Sequence, residues 1–195
     1  EDRRIALKVL HPHLFQRKGF FKRFQREAWA GEQVRHPNVV RTYDCGLQMD
    51  GDTPYCVLVM EYVEGQTLRA LLDSLGLVPE AMLREIALQI ASGLEAIHSA
   101  GIVHRDLKPE NVLITKDHEI RIMDLGVARL TQVSTVLTKE GQFAGSLIYA
   151  APEQFRATGV GPAADLYSLG VTLYELAAGV NPFLGEEAAA VMRAH

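Results

Sequence analysis

Between Gly101 and Ile114 the chain reads GIVHRDLKPENVLI. Ile102 and Val103 lie on one side and Val112, Leu113 and Ile114 on the other, with His104, Arg105, Asp106, Lys108, Glu110 and Asn111 between them. A carboxylate flanked by apolar segments costs desolvation energy unless it is paired. Arg105 is beside Asp106, and Lys108, two residues on, reaches the same site if the loop is extended. Asn111 follows just before a strand begins. An acid, a cation and an amide at the mouth of a strand can orient a hydroxyl, hold a phosphate and bind a hard cation. Asp is a strong Mg²⁺ ligand and Asn adds a neutral oxygen. A second acid, Asp124, arrives eighteen residues after Asp106 at the end of MDLG. Two acids and an amide converging at one end of a hairpin suggest a metal–phosphate site.

The elements that must position these groups follow from local pattern. NVLITKDHEIRIMD reads as a hairpin with KDHE as its turn. Upstream, Ile5–Leu10 reads as a strand that is aliphatic apart from Lys8, and HPH then breaks it, because proline lacks an amide donor and restricts its neighbour. A cation in such a strand needs a partner, and Glu27 is the candidate. It stands on the helix expected over residues 17–34, where Phe21, Phe24 and Ala28 recur at helical spacing. HPN at His36–Asn38 ends that helix. Strands are expected over 39–47 and 55–63, joined by the turn-rich QMDGDTP. A short helix is expected over 67–73. A long amphipathic helix is expected over 79–100, favoured at its start by Glu80 and stopped by Gly101. Residues 163–178 are apolar nearly all round, as in a buried helix, and Asp165 is the acid that interrupts them. Strands early and helices late describe an α+β fold, a small sheet-rich lobe beside a larger helical one, with VEGQT near residue 65 as connector.

Composition excludes some classes. The 195 residues, 48% hydrophobic with net charge −4, can bury a real core but carry no basic stripe for nucleic acid. The cluster from Arg17 to Arg26 reads as the wet face of a helix. Two cysteines without metal spacing, Cys45 and Cys56, suggest a reducing compartment. No apolar run reaches membrane-spanning length. A cytoplasmic location is expected, with any membrane anchor outside these residues.

Taken in order, IALK at Lys8, REA at Glu27, HRDLKPEN at 104–111, DLG at 124–126 and APE at 151–153 resemble the protein-kinase signature set. HRDLKPEN resembles the Ser/Thr class. VLHPHL, REA and HPNVV most resemble the bacterial, eukaryotic-like Ser/Thr kinases. The resemblance covers essentially the whole chain. It implies a two-lobed fold with residues 1–63 as partial N-lobe and 64–195 as partial C-lobe. It also implies use of ATP with Mg²⁺ (Mn²⁺ as a substitute) and protein substrates. By resemblance Lys8, held by Glu27, binds the α- and β-phosphates. Asp124 and Asn111 bind metal. Asp106 orients the hydroxyl and takes its proton, and Lys108 steadies the γ-phosphate. Adenine bonds backbone groups at Glu61 and Val63 behind Met60, between Ala6 and Leu113. His104, Glu153 and Asp165 are structural, Asp165 accepting bonds from the catalytic-loop backbone. Residues 127–150 resemble an activation loop. Arg105 and Arg129 there hold a phosphate on Thr138 or Thr135, put on by autophosphorylation between self-associated copies.

Each residue also has a plainer reading. Lys8 could snorkel from an edge strand, Glu27 could be solvated, and Asp106 and Arg105 could form a structural ion pair. Asp124 could cap a turn, and Asp165 a helix start near Gly161 and Pro162. Only the joint order of the motifs argues otherwise. The chain also departs from the family pattern. DLG replaces DFG, leaving Leu125 for the apolar slot, and Ser146 stands where threonine is usual. Gly31, four after Glu27, replaces a bulkier packing residue and is expected to loosen its helix. Seven residues before Lys8 leave no room for a glycine-rich loop, and the arginine expected to pair with Glu153 is missing. The chain therefore reads as the middle of a kinase domain, truncated at both ends. A pseudokinase scaffold is the alternative function. A small-molecule kinase fits less well, because APE and the Ser/Thr-bearing loop suit a protein substrate.

Overall fold

A computed structural model describes residues 4–10, 20–51, 53–125, 147–156, 159–185 and 187–195; within these spans the side chains at 20–23, 26, 27, 50, 53 and 188 are not described. The first sheet has the order β1-β3-β2, formed by β1 (Ile5–Leu10), β2 (Thr42–Asp50) and β3 (Thr53–Glu61), all antiparallel. Helix α1 (Phe20–Gln33) packs under it through Phe24 and Ala28, against Leu10, Cys56 and Leu58. Strand alternation puts Ala6 and Lys8 on the inner face of β1 and leaves Ile5, Leu7 and Val9 exposed. So β1, whose aliphatic content suggests full burial, is covered on one face only.

The second strand begins later than its sequence suggests. Val39 forms an isolated parallel bridge with Ile122 instead, and Val40 donates to the Ile122 carbonyl at 2.8 Å. That bridge ties the first sheet to the second, whose order is β4 (Gly65–Thr67), β5 (Val112–Thr115), β6 (Ile120–Ile122). The connecting chain is therefore Tyr62–Glu64, and most of VEGQT is strand. Gly65 allows this pairing, because a Cβ there would sit 2.4 Å from the Ile114 carbonyl oxygen.

The helical part follows. Thr67 caps α2 (Leu68–Leu75) by accepting from the Ala70 amide at 3.1 Å. Helix α3 (Glu80–Ser99) buries Ile86, Ile90, Leu94 and Ile97, which recur at three- and four-residue steps. Gly101, at φ 73°, follows its end. These side chains meet Val112, Ile120 and Ile122 from the hairpin, and Leu176 from a later helix, in one core. Two further helices, α4 (Pro152–Arg156) and α5 (Pro162–Ala178), precede the short α6 (Ala188–Ala194). No helix among the described residues is long and apolar enough to cross a membrane.

Two small residues show how α1 is seated. Helix α1 continues past Gly31, which is buried, and a Cβ there would lie 2.1 Å from Thr42 Oγ1. Gly31 therefore does not loosen the helix; it lets α1 approach β2 at Thr42, beside a cavity lined by Leu58, Met60 and Leu125. Gly31→Ala is expected to cost about 1–3 kcal/mol of stability through overpacking. Adding Thr42→Ala should return part of that loss, because it removes Oγ1 but keeps a Cβ 2.9 Å away, a coupling readable in a double-mutant cycle of chemical denaturation. Additive losses would remove the contact as the cause.

The two cysteines face each other across β2 and β3 with sulfurs 3.8 Å apart and both thiols free. Burial, then the neighbouring Cys56 thiol, pushes Cys45 up to about 12. Cys45 behaves as a packed thiol at neutral pH, as a small core residue should.

Candidate active site

The hairpin and the loop before it bring the chemistry-bearing residues together. Residues 102–107 form an irregular loop with a left-handed Arg105, and a 3₁₀ turn at Pro109–Asn111 leads into β5. Asn111 is buried, and its amide nitrogen donates to the Asp106 carbonyl at 2.8 Å and to Asp106 Oδ2 at 3.0 Å. Lys108 Nζ lies 3.6 Å from the same Oδ2. The Asp106 carboxylate is thus fixed in rotamer by an amide and neutralised by an ammonium, both from its own loop.

The second acid comes from the far side of the hairpin. The Met123 amide donates to the Asn111 carbonyl at 3.0 Å, which aligns the strand ends so that Asp124 follows directly beside Asn111. Asp124 adopts φ 57°, a left-handed backbone that Asp tolerates better than most residues. Its Oδ1 accepts from Lys8 Nζ at 2.8 Å, across 116 residues of sequence. Lys8 therefore has a carboxylate partner, Asp124, that sequence reading did not pair with it. The partner expected for Lys8, Glu27, lies on α1, and its side chain is outside the described residues. The Lys8–Asp124 pair is more than a third exposed on both sides, so its value lies in placement more than in stability.

Beneath the loop, His104 is fully buried. Its Nδ1 accepts from the Asp106 amide at 3.2 Å, which requires the proton on Nε2, and Nε2 then donates to the Met123 carbonyl at 3.0 Å. One imidazole therefore joins the backbone at Asp106 to the backbone preceding Asp124. Asp165, fully buried in the first turn of α5, accepts from the amides of His104 at 2.8 Å and Arg105 at 2.7 Å, and pairs with His98 Nε2 at 2.7 Å. It caps the loop, not its own helix, since its bonds run to the loop amides and to His98. Arg105 adopts φ 67°, and its backbone is held on both sides, by Asp165 and by Gln154 Nε2 donating to its carbonyl at 2.9 Å. Burial lowers the pKa of its guanidinium, and Asp165 opposes that. Arg105 Nη1 is buried and has no hydrogen-bond partner among the described residues.

The flanks of the site are placed as follows. Ala6 pairs with Met60, and Ile5 with Glu61, in the β1–β3 ladder. The Glu61 amide donates to the Arg41 carbonyl at 2.8 Å, and its side chain accepts from the Arg41 amide at 3.3 Å. Val63 is half-buried in the connecting chain, and Leu113 half-buried in β5. Leu125 is buried in the main core, filling an apolar slot beside Asp124. Glu153 stands half-buried in α4. Arg129, Thr135, Thr138 and Ser146 lie outside the described residues.

A family model for the protein kinase domain matches residues 1–195. The chain belongs to the protein kinase domain family. It is 41% identical over 196 residues to the serine/threonine-protein kinase drp72 of Corynebacterium efficiens, covering 100% of this chain and 37% of that protein. It is 41% identical to the serine/threonine-protein kinase PknA of Corynebacterium glutamicum, again over 100% of this chain and 41% of that protein. It is 37% identical to PknB of Mycobacterium leprae, over 99% of this chain and 31% of that protein. The kinase chain thus spans between 31% and 41% of the length of these relatives. Its sheet-rich first part and helical second part are the α+β arrangement read from the sequence.

Several kinase-domain residues at the site escaped sequence reading. Arg69 in α2 bonds Glu110 Oε1 at 3.1 Å, the Tyr149 hydroxyl at 2.7 Å and Glu175 Oε1 at 2.8 Å. The Tyr149 hydroxyl also donates to Glu175 Oε2. Burial pulls the Arg69 pKa down, but the bond to Glu175 and the surrounding charges carry it above its ordinary value. Burial, then Glu175, raises Tyr149 well above the phenol range. The available signal was Glu175 itself, a second acid within the apolar 163–178 stretch.

Proposed function

We propose that the chain carries the phosphoryl-transfer site of a Ser/Thr protein kinase, which moves the γ-phosphate of ATP to Ser or Thr hydroxyls of proteins. The observation that carries this reading is Asp106. Its carboxylate is held by Asn111 and Lys108, and the Asn111 carbonyl accepts from Met123, the residue before a second acid that a distant lysine engages. The donor set fits a hard cation. Asp124 offers carboxylate oxygens and Asn111 its side-chain oxygen, since the Asn111 side-chain nitrogen is turned to Asp106. That suits Mg²⁺, which is bound through one or two carboxylates plus substrate phosphates. Bound Mg²⁺ supplies neutralisation of the phosphate charge. Lys8 holds the nucleotide phosphates, and Asp106 orients the acceptor hydroxyl and takes its proton. Lys108, against Asp106, steadies the transferred group. The inner face of β1 at Ala6 and the strand residue Leu113 flank the adenine, with backbone groups at Glu61 and Val63 as its partners. Residues 1–63 and 64–195 act as the two lobes, and the site works in the cytoplasm.

Regulation by phosphorylation belongs to this reading. The buried Arg105 Nη1, without a partner among the described residues, is a donor suited to a phosphate. Thr138 and Thr135 are the sites, modified between self-associated copies, with Arg129 as the second cation. The test is Mg-ATP phosphate transfer by the full-length protein, to itself and to a generic basic protein, with sites mapped by mass spectrometry. Phosphothreonine at Thr138 or Thr135 is expected. An active preparation with no phosphate in 127–150 would remove the regulatory part. ATP binding without transfer would replace the enzyme by a nucleotide-binding scaffold.

A further inference from the structure

Arg69, Glu110, Tyr149 and Glu175 form a polar cluster that the proposed phosphoryl transfer does not use. It joins four separate pieces of chain: α2, the 3₁₀ turn of the loop, the stretch before Ala151, and α5. Glu110 lies between Lys108 and Asn111, and the Asn111 amide closes the turn on the Lys108 carbonyl at 2.9 Å. The turn thus keeps its own closure, and Asn111 its bonds to Asp106, without Glu110; what holds Glu110 sets where the outer face of that turn lies. Tyr149 stands two residues before Ala151, whose amide donates to Gln154 Oε1, and Gln154 in turn bonds the Arg105 carbonyl. The stretch 147–154 thus meets the loop from the other side.

Without Arg69, Tyr149 would keep two anchors on α5. Its hydroxyl bonds Glu175, and Ser168 Oγ donates to its carbonyl at 2.8 Å. Glu110 would lose its described ion pair, and its Oε2 already has no partner among the described residues. Both pieces would stay folded, but the link between them would be gone. That link needs a planar fork, because Nε points to Glu110 while Nη2 points to Tyr149 and Glu175. A lysine ammonium is a single point and cannot span the three acceptors.

We infer that Arg69 is a positioning residue, which sets the loop turn at Glu110 against the stretch at Tyr149 and so fixes the rim where a protein's hydroxyl-bearing segment enters. This rests on the kinase reading. It touches neither ATP nor the reacting atoms. Its loss should therefore appear in the protein substrate's KM and not in that of ATP.

The experiment uses the full-length protein with Arg69→Ala and Arg69→Lys, a peptide substrate taken from its own phosphorylated loop, and amide hydrogen exchange. For Arg69→Ala the peptide KM is expected to rise about tenfold or more, with the ATP KM within about twofold. Arg69→Lys should not rescue it. Exchange should quicken at 109–112 and 147–151 and stay unchanged in the middle of α5. A lower melting temperature with both KM values unchanged would overturn the inference, as would faster exchange throughout α5. If the wild type transfers no phosphate, the kinase reading fails, and the exchange pattern alone decides whether Arg69 couples the two stretches.

Discussion

Asp106→Asn in the full-length protein is expected to lower kcat for phosphate transfer by about 10²–10⁴-fold while leaving the KM for ATP nearly unchanged. The substitution keeps the shape and one acceptor oxygen but removes the group proposed to take the hydroxyl proton. It also leaves two amides facing each other, since Asn111 donates to Asp106 Oδ2 at 3.0 Å, and it leaves Lys108 without the carboxylate 3.6 Å away. The loop itself should hold. Its backbone is anchored elsewhere, through His104, Asp165 and Gln154, so the melting temperature should move little. Steady-state kinetics beside a melting curve separates the two effects. A loss of less than about tenfold would remove Asp106 as the proton acceptor, because general-base loss exceeds that. Loss of ATP binding in the same variant would instead point to a collapsed site.

What the sequence discloses about this site is what lies close together in the chain. The hairpin from Val112 to Ile122 and the polar loop before it are local, with turn and alternation both in view, and the structure has them where the pattern puts them. The core face of α3 is equally visible, because its apolar residues recur at three- and four-residue steps. Pairings across long separations are different. Lys8 meets Asp124 over 116 residues, and Arg69 meets Glu110, Tyr149 and Glu175 over 41, 80 and 106. No periodicity encodes such distances; only the resemblance to a known signature made Lys8 and Asp124 members of one site. Arg69 had no such help. In TLRALL a charged residue between leucines reads as the solvated side of a helix, and nothing nearby says that three acceptors await it. Gly31 misled for a related reason. A missing side chain looks like lost packing until Thr42 is found in the space it leaves.

Asp165→Ala is expected to destabilise the chain by about 3–5 kcal/mol, the range for breaking a buried, hydrogen-bonded charge. For a domain of this size that is a fall in melting temperature on the order of 10 °C. Three groups lose their acceptor at once: the amides of His104 and Arg105, and the His98 imidazole. The two amides lose theirs at a point where the carboxylate is fully buried, while the His98 ring keeps an edge toward water. Arg105 adds to the loss. Its left-handed backbone, φ 67°, is uncommon for a residue with a long side chain and costs on the order of 1–3 kcal/mol unless its surroundings hold it. Asp165 is one of the two groups that hold it. Once released, Arg105 can relax, and the first thing to move is Asp106, the next residue. Activity should therefore fall even at temperatures where the variant is fully folded, by more than the unfolded fraction accounts for. Asp165→Asn should lie between the two. Its oxygen can still serve the Arg105 amide, but an NH₂ group in place of Oδ2 meets the His104 N–H, donor against donor. Melting curves and kcat measured well below the transition read both effects. A melting temperature within about 2 °C of wild type for the alanine variant would show that the loop does not depend on this carboxylate. A stability loss with unchanged kcat would leave Asp165 in the fold and take it out of the chemistry.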